Sequence, residues 1–68
     1  MKRNKDLAKL IKQRITTYEE FWYVNILHGG TGSYDDRMLR ELYSLLGKKF
    51  DPRETFKRQR ALEERENA

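Results

Sequence analysis

The sequence predicts an all-α fold: a small bundle of three to four short helices with a Gly-rich interhelical loop and a polar C-terminal helix, forming one domain over residues 1–68. Three observations carry this. Large apolar residues recur at spacings of three and four, the period of a helix buried along one side. Glycines and capping residues fall at the ends of those periodic stretches, not inside them. Finally, 68 residues with 38% charged and 37% hydrophobic side chains suit a single polar-surfaced domain. For 8.3 kDa, mass scaling expects about 4,600 Å² of accessible surface once folded.

The first helix opens at Asn4, a candidate N-cap, and Leu7, Leu10, Ile11, Ile15 and Tyr18 form its expected buried stripe. Thr17 and Glu20 have capping-box spacing, so a second helix can start there. Threonine disfavours helix only mildly, and one bent helix over about residues 5–28 is the alternative. Phe21-Trp22-Tyr23-Val24 followed by Ile26-Leu27 is apolar nearly all round. β-Propensity would also suit a strand here. Glu19-Glu20 in a first turn and the Gly29-Gly30 stop favour helix. A helix apolar on every side in so short a chain exceeds what its neighbours can cover, which directs part of it toward a partner.

His28 to Ser33 reads as the flexible loop, and Ser33 with Asp36 has the spacing of another capping box. The next helix carries Met38, Leu39, Leu42, Leu45 and Leu46 on one face and ends at Gly47. Asp51-Pro52-Arg53-Glu54 combines an N-cap, a first-turn proline and a third-position glutamate, a strong helix start. Beyond it only Phe56 and Leu62 are large apolar anchors, so this last helix is expected to dock at its beginning. Residues 1–4 and about 63–68 are expected to fray.

Catalytic chemistry finds few candidates. There is no cysteine and one histidine, which removes disulfides, thiol catalysis and histidine-paired metal sites. His28 reads as a helix C-terminal cation favoured by the dipole, and Glu19/Glu20 and Asp35/Asp36 as first-turn carboxylates. The Gly29-Gly30-Thr31-Gly32-Ser33 run lacks the lysine of a phosphate loop and is followed by two carboxylates that would repel a phosphate. No enzymatic activity, cofactor, metal or small-molecule substrate is expected. No run approaches the ~18 apolar residues of a membrane helix, and Met1 to Asp6 lacks the apolar stretch of a signal peptide. A cytoplasmic location without membrane contact is the expectation.

The formal charge of +4 is unevenly placed. Residues 1–14 hold six basic and one acidic side chain, residues 15–47 two and five, and residues 48–68 seven and five. Lys2, Arg3, Lys5, Lys9, Lys12 and Arg14 flank the first stripe, where they suit nucleic acid or an acidic partner surface. A second, diluted patch comprises Lys48, Lys49, Lys57 and Arg58, though Glu54 is well placed to pair with Lys57 or Arg58. A helix-turn-helix does not fit, because the glycine loop is long and the following helix begins with acidic residues.

Two functions follow. The first is a regulatory or accessory protein that binds a macromolecule stoichiometrically through its basic N-terminal helix. The second is an inhibitor or adaptor that binds a protein through Phe21, Trp22, Tyr23 and Ile26. The aromatic helix also makes a second copy of the chain, a homodimer, a candidate partner.

Overall fold

A computed structural model describes the backbone of residues 2–67 and the side chains of residues 5–66. It contains three helices, α1 (Lys2–Leu27), α2 (Ser33–Leu45) and α3 (Pro52–Asn67), and no strand among the described residues. The all-α expectation holds, with three helices, of which the first is long. At ~1.5 Å per residue, 26 residues make a rod of about 39 Å, which matches the longest dimension of the molecule, 40 Å.

Of the two readings open at Thr16-Thr17, a break or one continuous helix, the structure has the continuous helix. Both hydroxyls donate to carbonyls one turn back, Thr16 to Lys12 at 3.1 Å and Thr17 to Gln13 at 3.2 Å. This local bonding satisfies the side chains inside the helix, so no Thr17–Glu20 capping box forms. Asn4 lies within α1 instead of capping it.

Two glycine-ended turns place the remaining helices. At the end of α1, Gly29 donates to the Ile26 carbonyl and Gly30 to that of Asn25, with Gly29 at φ 84°. After α2, Gly47 donates to Ser44 and Lys48 to Tyr43, with Gly47 at φ 70°. Both are the paired C-terminal closure that only a left-handed residue permits. The α3 start is as expected: an Asp51 carboxylate oxygen accepts from the amides of Arg53 (3.0 Å) and Glu54 (3.4 Å).

The start of α2 differs from expectation. Gly32, at φ 61°, is the N-cap and no side chain caps the helix, so Ser33 and Asp36 form no capping box. The reason is packing. A Cβ on Gly32 would lie 2.9 Å from Trp22 Cδ1, so the loop backbone is pressed onto the indole. Gly32→Ala is expected to cost about 2 kcal/mol by combining left-handed strain with this clash, against about 1 kcal/mol for Gly29→Ala, whose Cβ meets open space. Urea denaturation of the two variants measures the difference, and equal losses would show that the contact with Trp22 is unimportant.

The helix α2 runs antiparallel to α1, since Asn25 bonds Asp35 near one end and Glu19 bonds Tyr43 near the other. The core is Ile15, Trp22, Tyr23, Leu39, Leu42 and Phe50, flanked by Ile11, Tyr18, Ile26, Tyr43, Leu46 and Phe56. One residue of the expected α2 stripe departs from it. Leu45 is exposed and Tyr43 packs inward in its place. Leu7 and Leu10 are also exposed, because α2, only about 20 Å long, leaves the first turns of α1 uncovered.

Candidate functional site

The uncovered first turns of α1 form an arm. Lys5, Lys9 and Lys12, spaced four and three apart, lie along one side of it and are exposed. None of them, nor Arg14, makes an ion pair among the described residues. Arg14 is exposed too, but two residues beyond Lys12 it points to a different side, where it lines a shallow groove with Gln13, Thr17, Tyr18 and Phe21. The side chains of Lys2 and Arg3 lie outside the described residues.

Of the second basic patch, Lys48, Lys49 and Arg58 line one depression and Lys57 lies apart. Lys48 and Lys49 lie in the α2–α3 connection, in a depression shared with Asp51 and Glu54. Lys57 sits at the edge of an apolar hollow with Trp22, Ile26, Pro52 and Phe56. Arg58 is not a free contact for a polyanion. Its Nη2 donates at 2.9 Å to Glu19, so the pairing with Glu54 suggested by spacing gives way to one across helices.

Glu19 is the residue whose role spacing obscured. It lies in the middle of α1, not in a first turn, and is 4% exposed. One oxygen, Oε2, accepts from the Tyr43 hydroxyl at 2.8 Å, the Thr55 hydroxyl at 3.3 Å and Arg58 at 2.9 Å. Arg58 also donates to Thr55 Oγ1 at 3.3 Å. A single carboxylate therefore joins all three helices, and no buried side-chain polar atom is left without a partner among the described residues. Burial first, and then the neighbouring Glu19 carboxylate, raise the Tyr43 pKa, while the adjacent Tyr43 hydroxyl and then Glu19 raise that of Arg58. Tyr23 is raised by burial and by Glu63. This cluster serves as a structural joint between the three helices.

Asp35 is buried and accepts from Asn25 at 2.9 Å, whereas Asp36 pairs with Arg40 on its own helix. The exposed pair Arg60–Glu64 and the half-buried pair Asp36–Arg40, both one turn apart on a helix surface, contribute little to stability. His28 is exposed just beyond α1.

The aromatic surface is smaller than the sequence suggested. Trp22 and Tyr23 are buried in the monomer, and Ile26 is partly buried against the same core. Trp22 meets Phe50 and Phe56 edge-on at 5.7 and 6.4 Å, and Tyr23 meets Phe56 at 5.1 Å. The indole and phenol rings fill the space between α1 and the segment from Phe50 to Phe56, so of the four residues assigned to a partner only Phe21 is exposed. Val24 and Leu27, not singled out from the sequence, join it on the surface.

Among the described residues no group of three or more His, Cys, Asp or Glu side chains is arranged to hold a metal ion, and no helix is long and apolar enough to cross a membrane. No protein-family model matches the chain, and neither a curated protein nor a solved structure does.

Proposed function

We propose that this chain is a cytoplasmic, non-enzymatic accessory protein that acts stoichiometrically, docking on a nucleic-acid backbone through the N-terminal half of α1. The observation that supports this is the arm itself: Lys5, Lys9 and Lys12 share one exposed side of a helix that stands clear of α2, unpaired with any described acidic group. Helical spacing of the three ammonium groups lets them follow a phosphate backbone, and each phosphate neutralised releases condensed counterions. The contacts are sequence-independent, because ammonium groups on phosphates carry no base information.

Fluorescence anisotropy with a labelled DNA duplex tests this. Three phosphate contacts correspond to a salt slope of about −2.7, hence a loss of affinity of roughly forty-fold between about 50 and 200 mM salt. Lys5→Ala/Lys9→Ala/Lys12→Ala is expected to remove most of that slope while leaving the circular dichroism spectrum unchanged. No binding at low salt, or binding that the triple variant retains, would refute the role of the arm.

A further inference from the structure

We propose that the hollow between α1 and the first turns of α3 binds a small amphipathic carboxylate, with its apolar body in the hollow and its charged end held at the edge by Arg53 and Lys57. This goes beyond the polyanion-binding role and uses none of the arm's lysines. The hollow measures about 420 Å³, inside the range of about 300–1,000 Å³ in which small-molecule sites fall. Trp22 and Ile26, one turn apart on α1, supply one side of it; Pro52 and Phe56, one turn apart on α3, supply the other. The two sides meet where the Trp22 and Phe56 rings pack edge-on at 6.4 Å. The lining is carbon almost throughout, and Pro52, which has no N–H, adds no backbone donor to it.

Charge selects the ligand. Arg53 and Lys57 stand four residues apart on the side of α3 that bears Pro52 and Phe56, and they line the hollow with their stems. Both residues are exposed, and neither makes an ion pair among the described residues. No acidic side chain lines the hollow. Glu54, three residues before Lys57, falls on another side of α3, in the depression with Lys48 and Thr55. Arg60, one turn beyond Phe56, is already paired with Glu64.

A carbon-lined interior with two unpaired cations at its edge discriminates three ways. An apolar cation is repelled at the edge, and a small anion without an apolar body gains nothing from the interior. A carboxylate on an apolar body uses both features: the body leaves water against Trp22, Ile26 and Phe56, while the guanidinium of Arg53 offers two donors to its two oxygens and Lys57 adds a second positive charge.

Trp22 is the single tryptophan, so its indole N–H resonance reports on the hollow alone. Octanoate titrated into the isotope-labelled full chain is expected to move that resonance and the amides of Ile26, Arg53, Phe56 and Lys57 saturably, with a Kd of about 1 mM, as suits about ten non-hydrogen atoms in an open site. Octylammonium, with the same chain and the opposite charge, and acetate, with the same charge and no chain, should each bind several-fold more weakly. Arg53→Gln/Lys57→Gln should keep the helical circular dichroism spectrum and lose several-fold in octanoate affinity. Lys48→Gln/Lys49→Gln, which removes the same net charge outside the hollow, should bind as the parent does. Resonances that fail to saturate, octylammonium binding as tightly as octanoate, affinity retained by Arg53→Gln/Lys57→Gln, or movement centred on Leu7, Leu10 and Phe21 would overturn the proposal. The triple lysine variant should bind octanoate like the parent, so failure of the polyanion reading leaves this result untouched.

Discussion

Trp22→Ala is expected to abolish the cooperative thermal transition of this protein. Truncating a buried tryptophan costs about 3–5 kcal/mol, while a 68-residue domain at typical values has only about 3–10 kcal/mol of stability in total. The position is unusually consequential because the indole is shared. It packs edge-on against both Phe50 and Phe56 and supports the Gly32 backbone, so its loss opens the seam with α3 and the α1–α2 turn together. Circular dichroism during heating reads the outcome directly. Trp22→Phe should retain a cooperative melt, because a smaller ring keeps part of the packing; a melt for Trp22→Ala within about 1 kcal/mol of the parent would contradict the assignment of Trp22 as the core's centre. It follows that loss of binding in Trp22→Ala reports unfolding, and Phe21→Ala is the variant that probes the aromatic surface.

Glu19→Ala is expected to cost about 2–3 kcal/mol. The loss arises mainly from the two hydroxyls. Thr55 is 1% exposed and Tyr43 is partly buried, so neither readily exchanges its lost acceptor for water. Arg58 is half exposed and rehydrates, which limits the contribution of the ion pair itself. Glu19→Gln keeps an acceptor oxygen for the hydroxyls and should lose about 1 kcal/mol. Urea denaturation of both variants, repeated in high salt, separates the two contributions: a Glu19→Ala penalty that mostly vanishes in salt would mean that the exposed ion pair, not the buried hydroxyls, holds the joint.

Local chemistry was legible in the sequence wherever a few adjacent residues decide the structure. Asp51-Pro52 starts α3 and Gly29 and Gly47 close the helices before them because capping and left-handed backbone involve only neighbours. The same reasoning left a break and a continuous helix both open at Thr17 and suggested a box at Ser33 that does not form, since capping spacing also arises inside a continuous helix or beside a packed glycine. Glu19 was misread for a different reason. Its partners lie 24, 36 and 39 residues away, and no local pattern distinguishes a buried acceptor from a first-turn carboxylate. The basic arm was visible as composition; that it stands free depends on the lengths of α1 and α2 and on their antiparallel alignment. The all-round apolar stretch likewise resolves into two faces, Trp22 and Tyr23 inward and Phe21 and Val24 outward, only when the direction of the core is known.

The continuity of α1 through Thr16 and Thr17 has a consequence for the arm it carries. An isolated helix as short as the arm is marginal in water, because forming the first turn fixes several dihedrals for a single hydrogen bond. Here that nucleus is supplied by the packed segment from Ile15 to Ile26, so the arm has only to propagate, one bond for each residue added. Lys5, Lys9 and Lys12 are thereby held in helical register before any ligand arrives, and the binding surface proposed for them would be preorganised by a core that it does not touch.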